Sequence, residues 1–248
     1  MPHLDNISKQ LNDGPGFLIS NAFSDSDLSA IRSFLFSHWS SRIINLDSSL
    51  SPSPDSILNY HLLAASAFHK KLWPKLSRMF DQSFISWFQK SDFFSSLSHA
   101  FGDFIVSDEE SLGYPNFYWR ISRPFVSDDI GPPHRDEWFW LLQDPPLYNF
   151  YHFDRIKVWV PIHTVPKKNG LLVEPFSHHR SDVLWTSESR DGKNKPSFSP
   201  SNHFEPVLLD ASPGQAVLFH DRLLHAGSSN TAQSTRYSFE FTILAPLN

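Results

Sequence analysis

Between residues 104 and 244 the chain is written in short β-branched and aromatic runs broken by Pro, Gly and Asp, a texture that admits little besides a sandwich or barrel of short strands. Residues 117–122 alternate Phe117, Trp119 and Ile121 with Tyr118, Arg120 and Ser122, so one strand face can pack on helices while the other meets a wet cavity. Tyr118 or Arg120 could then reach a substrate. Further strands are predicted over 155–163, 170–175, 215–220 and 236–244, and in the last of these Arg236, Ser238, Glu240 and Thr242 oppose Tyr237, Phe239, Phe241 and Ile243. Residues 192–201 read as a long exposed loop.

The N-terminal part has a different texture. Gly16-Phe17-Leu18-Ile19 reads as a buried strand, and Ser24-Asp25-Ser26-Asp27 supplies N-cap residues ahead of Leu28, Ile31, Phe34 and Leu35 at helical spacing. Residues 45–54 are Ser- and Pro-rich and read as a flexible loop. Helical patterns return near 57–73 and 80–101, with Phe80, Phe84, Trp87 and Phe88 on one stripe suited to buttressing a sheet. The expected organisation is one domain over 1–248, mainly β with helices (α+β), helical to about residue 103 and β-rich from about 104. With 23 Phe and 8 Trp such a chain can fill a large core.

Composition narrows the partners. The chain has no cysteine, which removes disulfides, Cys-ligated zinc and thiol nucleophiles and suits a reducing cytoplasm. A net charge of −5 with scattered Lys and Arg argues against nucleic acid. The N-terminus lacks a basic region followed by an apolar stretch, and no apolar run approaches the ~18 residues of a membrane span, so a soluble, unexported protein is expected.

The chemistry gathers at His134-Arg135-Asp136-Glu137-Trp138-Phe139-Trp140. In an extended strand His134 and Asp136 point the same way and can reach one cation. Such a pair under-coordinates a divalent metal, and His225, at the end of the next apolar strand pattern, is the candidate third ligand. Two histidines and a carboxylate with open positions are what non-haem Fe(II) oxygenases use. Arg236-Tyr237-Ser238 then puts a cation and a hydroxyl on one face, suited to gripping a carboxylate. A lone His-x-Asp also occurs in turns and in hydrolytic metal sites, but those sites need further carboxylate or His clusters that the sequence does not show. His220, the rival to His225, continues an apolar strand and reads as a hydrogen-bonded structural residue.

The ordered set of His-x-Asp, a distal His after a Gly-x-x-x-Leu-Phe-His-type strand, and Arg-x-Ser resembles Fe(II)/2-oxoglutarate-dependent dioxygenases of the phytanoyl-CoA dioxygenase-like family, from about residue 16 to 244. The resemblance implies a double-stranded β-helix (jelly roll) with N-terminal helices on one sheet. It implies Fe(II) on His134, Asp136 and His225, 2-oxoglutarate on Arg236 and Ser238 with Trp159 lining its site, and O2 as co-reactant. Asn169-Gly170 and Pro175-Phe176-Ser177-His178 resemble two family segments, with Phe176 where Gly is usual, Gly227 where a cosubstrate-contacting Ser is common, and His178 as a loop-stabilising residue. The implied reaction is hydroxylation of a small organic molecule as 2-oxoglutarate goes to succinate and CO2, with desaturation or epimerisation as open alternatives. Tyr118, Arg120, Trp138 and Trp140 are the substrate-side candidates, and Arg120, Arg123, Arg155 and Lys157 could bind an anionic substrate. Loops near 45–54, 142–153 and 185–201 are expected to line the pocket. No protein partner is implied. Two other classes share these features in part: a catalytically silent ligand-binding jelly roll, and a cupin-type hydrolase or isomerase, for which Arg236 and Ser238 would have no purpose.

Overall fold

The computed structural model describes residues 7–63, 66–143, 153–190 and 192–246. Its centre is a six-stranded antiparallel sheet in the order β1 (Phe17–Asn21), β9 (Gln215–His220), β4 (Phe153–His163), β11 (Arg236–Pro246), β2 (Ile105–Val106), with β3 (Tyr118–Ser122) also paired to β11. A second sheet runs β10 (His225–Gly227), β5 (Leu171–Val173), β8 (Val207–Leu208), and β6 (Trp185–Arg190) forms a hairpin with β7 (Lys193–Phe198).

Alternation along the strands decides which layer each face meets. Ile156, Val158, Val160 and Ile162 of β4, Trp119 and Ile121 of β3, and Tyr237, Phe239, Phe241 and Ile243 of β11 all enter one cluster with the N-terminal helices. The opposite face gives Trp159, Val217 and Phe219 to a second cluster with Leu171, Val173 and Leu209, so the two sheets pack face to face as a jelly roll requires. Between them the polar members of the same strands line a cavity.

The helices cover the outer face as the apolar stripes predict. In α2 (Asp25–Leu46) Ser24 is the N-cap and Asp27 closes a capping box, while Leu28, Ile31, Leu35, Trp39 and Ile43 are buried. Phe84 and Phe88 of α6 (Gln82–Phe88) and Phe93 of α7 (Asp92–Phe101) pack on the sheet, and Phe88 makes an edge contact with Phe241 at 5.3 Å. Each such ring contributes roughly 1.5–3 kcal/mol of burial. No helix among the described residues is long and apolar enough to cross a membrane.

Two expectations are corrected. The loop expected over 45–54 is shorter, 47–53: α2 extends to Leu46, and Ser53 caps α3 (Pro54–Leu58) with Pro54 in its first turn, where a missing N–H costs nothing. Residues 192–201 are not an exposed loop either, because 193–198 form β7. Its Ser, Lys and Asn residues carry no period-two apolar signal, and pairing with β6, from Trp185 against Phe198 to Arg190 against Lys193, is what makes it a strand.

Candidate active site

The metal-ligand candidates meet through a backbone bridge that joins positions 91 residues apart. His134 N donates to His225 O and His225 N donates to His134 O, each at 3.0 Å, which extends the small sheet by one residue. Arg135 has extended backbone (φ −106, ψ 140), so its side chain points away from its neighbours and donates to the carbonyls of Ser177 and Arg180 at 2.6 and 2.7 Å. His134 and Asp136 are thereby turned together to the cavity. The strand expected here nevertheless ends at once, since Asp136 opens α8 (Asp136–Leu141). The aromatic run has β propensity, but burial of its residues in separate places overrides it.

The three side chains bring ligand atoms within 4.8 Å of one another. His134 Nε2 and His225 Nε2 lie 3.7 and 3.9 Å from Asp136 Oδ1. Each Nδ1 is within 2.9 Å of a carbonyl, of Pro132 and Leu223 respectively, which makes Nδ1 the protonated nitrogen and leaves the Nε2 lone pair for a cation. Burial and the neighbouring His225 push His134 down to about 4, so its ring is neutral near pH 7. Burial alone would raise the Asp136 carboxyl, but the Lys157 ammonium outweighs it and the group is lowered instead. Asp136 Oδ2 has no hydrogen-bond partner although it is buried. Two imidazoles and one carboxylate without sulfur are a donor set for a divalent metal of the Fe(II) kind.

These residues line a cavity of about 690 Å3 together with Arg236, Gly227 and Trp159. Arg236 is buried, its Nη1 donates to Gly170 O at 2.5 Å, and its Nε has no partner. Burial pushes its guanidinium down to about 10, still cationic at neutral pH. A Cβ on Gly227 would stand 3.6 Å from Arg236 Nη2, so the absent side chain leaves room beside the guanidinium. Ser238 lies on the same face of β11 but is fully buried and outside the cavity wall, with its hydroxyl unpartnered.

A chain of opposite charges crosses the cavity wall. Lys157 Nζ is 3.5 Å from Asp136 Oδ2 and 3.3 Å from Glu240 Oε1, and Arg120 Nη2 donates to the same Glu240 oxygen at 2.5 Å. Burial would raise Glu240, but Arg120 and Lys157 hold it well below the carboxylate range. Burial would likewise lower Lys157, and Asp136 and Glu240 instead raise it.

A family model, Phytanoyl-CoA dioxygenase (PhyH), matches residues 18–238. The chain belongs to the phytanoyl-CoA dioxygenase family. As a family member with the His134, Asp136 and His225 cluster, the protein is an Fe(II)/2-oxoglutarate-dependent oxygenase. Solved structures share the fold at low identity. EvdO2 from Micromonospora carbonacea var. aurantiaca, complexed with 2-oxoglutarate, is 15% identical with a TM-score of 0.61, covering 97% of this chain and 91% of that one. EctD from S. alaskensis with 2-oxoglutarate and 5-hydroxyectoine is 14% identical with a TM-score of 0.58, covering 96% and 75%. The α-ketoglutarate-dependent carbocyclase SnoK from nogalamycin biosynthesis is 12% identical with a TM-score of 0.55, covering 98% and 85%. No curated protein matches by sequence.

Of the substrate-side residues named for this family member from sequence, Tyr118, Arg120 and Trp140 line the cavity. Trp138 does not. Two residues apart on a helix point nearly opposite ways, and Trp138 is stacked 5.5 Å from Trp185 beneath the hairpin. Arg123 and Arg155 are also withdrawn from the substrate role: Arg123 grips Asp129 through Nε and Nη2 at 2.9 and 2.7 Å, and Arg155 donates to Asp221 at 2.5 Å. His220 bonds to the backbone N–H of Arg222 at 3.0 Å, outside the cavity wall. His178 is buried against Gly16, where φ is +87 and a Cβ would stand 2.5 Å from Nδ1, so the position requires a residue without one. Phe176, in the family's usual Gly position, keeps a left-handed backbone (φ 64).

Sequence reasoning missed Phe139, which is edge-on to His134 at 5.4 Å, together with Glu240 and Arg78 on the cavity wall. Glu240 was visible on the right strand face but had no motif to mark it, and Arg78 had no signal. Of the three predicted pocket loops, 185–201 reaches the cavity through Lys193, Asn194, Lys195 and Pro196, while 45–54 does not. Most of 142–153 falls outside the described residues.

Proposed function

We propose that the protein hydroxylates a small organic molecule, with Fe(II) held by His134, Asp136 and His225 and the distal carboxylate of 2-oxoglutarate held by Arg236, all within one domain spanning 1–248. The observation that carries this reading is that the three ligand side chains and the half-free Arg236 guanidinium line the same cavity. Iron held there would supply the oxidation, with 2-oxoglutarate and O2 consumed and succinate and CO2 formed. The chain's own contribution is orientation. Gly170 O fixes one arm of Arg236 so that the rest of the fork meets a carboxylate, and Trp159 forms the wall beside it. Asp136 would supply a carboxylate to the metal and so take a position a halide would otherwise occupy, which favours hydroxylation. The cavity's volume suits the cosubstrate plus a small molecule. A cytoplasmic setting is part of this reading, supported by the cysteine-free sequence.

The test is succinate release from 2-oxoglutarate across a metabolite panel, with product mass read in parallel. Gain of one oxygen atom in step with succinate is the expected result. Succinate with loss of two hydrogens and no oxygen gain would mean desaturation or ring closure, and no 2-oxoglutarate consumption under any condition would leave a ligand-binding jelly roll. Asp136→Ala and His134→Ala should each abolish iron retention and turnover, and zinc should occupy the site without supporting oxidation.

A further inference from the structure

The cavity wall holds, away from the metal-ligand cluster, a guanidinium that no hydrogen bond or ion pair among the described residues engages. Arg78 ends a 3-10 turn (Lys75–Arg78) joined to β3 by the bridge between Met79 and Tyr118, and it lines the cavity next to Arg120. Among the described residues it has no hydrogen bond or ion pair, and its Nε is buried without a partner. The carboxylates in reach are taken. Glu110 is ion-paired to Lys75 and accepts from Tyr118 Oη at 3.2 Å, Glu109 accepts from Thr242 Oγ1 at 2.8 Å, and Glu240 serves Arg120 and Lys157. The head of Arg78 is nevertheless held in place, with Cζ 5.4 Å from the ring centre of Trp73.

We propose that Arg78, with Arg120 beside it, is a subsite for an oxyanion carried by the substrate, a carboxylate or a phosphate ester. Arg120 spends one Nη on Glu240 and keeps 39% of its side chain open, so two planar forks from adjacent elements are presented to the same space. Such forks match oxyanion geometry. Burial and the nearby Arg120 push Arg78 down to about 10; it stays charged at neutral pH, and an anion between the two would relieve their repulsion. Lys193 of the hairpin adds a further cation at the cavity wall. The proposal deepens the hydroxylase reading, since it places the anionic end of the substrate at the wall formed by β3 and the 75–78 turn.

Inorganic phosphate and acetate, in separate arms, are titrated by calorimetry into the anaerobic protein loaded with Fe(II) and saturating 2-oxoglutarate. Saturable binding is expected in at least one arm, weakened about tenfold or more by Arg78→Met, only in part by Arg78→Lys, and not by Lys70→Met, an exposed lysine outside the cavity. Stronger binding of phosphate points to a phosphate ester and stronger binding of acetate to a carboxylate. No saturable binding in either arm, or equal binding by wild type and a folded Arg78→Met, overturns the subsite. Binding lost only when 2-oxoglutarate saturates the protein also overturns it, because the anion was then at the cosubstrate's position. The 2-oxoglutarate affinity measured in the same preparation judges the hydroxylase reading separately.

Discussion

Lys157 Nζ lies 3.5 Å from Asp136 Oδ2, while the other oxygen of the same carboxylate is the one nearest both imidazoles. The lysine is 8% exposed and is the cation that lets Asp136 stay ionised inside the protein before any metal arrives. Removing one partner of a buried pair costs about 3 kcal/mol or more, so Lys157→Met should lower the melting temperature of the metal-free protein markedly. A divalent ion restores the missing positive charge, and its binding is linked to folding. The melting temperature should therefore rise more on metal addition in Lys157→Met than in wild type. Equal rises would show that the lysine and the metal do not share the field of Asp136.

Arg236 offers a second test. A charge-assisted hydrogen bond contributes about 1.5–3 kcal/mol, so Arg236→Gln should weaken 2-oxoglutarate binding roughly ten- to a hundredfold, with Arg236→Lys recovering part. A pairing of Arg236 with Glu240 along the strand would predict lost stability instead, but Glu240 is engaged by Arg120 and Lys157. Titration of 2-oxoglutarate into the anaerobic Fe(II) protein gives the dissociation constant, and an unchanged value in Arg236→Gln would remove the residue from cosubstrate binding.

Phe176 holds φ 64 with 55% of its surface exposed, so it bears left-handed strain without much burial in return. Relief of about 1–2 kcal/mol in Phe176→Gly is offset by roughly 0.5–1 kcal/mol of added chain entropy. Denaturant unfolding should show Phe176→Gly as neutral to slightly stabilised and Phe176→Val as destabilised by about 1 kcal/mol or more. The reverse ranking would mean that the Phe176 ring packs more strongly than its exposure indicates.

Stability should also depend on pH through His69, which is buried with its Nδ1 2.9 Å from Tyr60 Oη. Burial and Arg123 push it down from 6.5 to about 4, against the pull of Asp129. Above about 6.5 the ring is neutral in both states and its contribution is fully present. As pH falls from 6.5 toward 4 the unfolded chain takes up a proton that the folded one refuses, so stability is lost through that window and the slope from this group ends below it. Urea unfolding between pH 7 and 4 should show a shallower slope in His69→Phe. An identical slope would assign the acid sensitivity to other groups.

Sequence alone determined the layers and the chemistry's vocabulary. Period-two alternation put Tyr237, Phe239, Phe241 and Ile243 toward the helices and left Arg236 and Glu240 on the cavity side, because strand geometry ties face to parity with no help from distant residues. The same local logic turned His134 and Asp136 the same way across extended Arg135. Tertiary structure alone decided who meets whom. The bridge from His134 to His225, the placing of Lys157 between Asp136 and Glu240, and the commitment of Arg155 to Asp221 are pairings between distant parts of the chain. Tertiary structure also made a helix of the aromatic run after Asp136, by burying Trp138 and Trp140 in different places, and a strand of the polar run at Lys193–Phe198, by pairing it with β6, since such contacts outweigh propensities worth at most about 1 kcal/mol per residue. Arg78 shows the limit most plainly: its lack of a counter-ion is a property of the carboxylates around it, each already engaged by another residue, and no reading of its own sequence neighbours contains that fact.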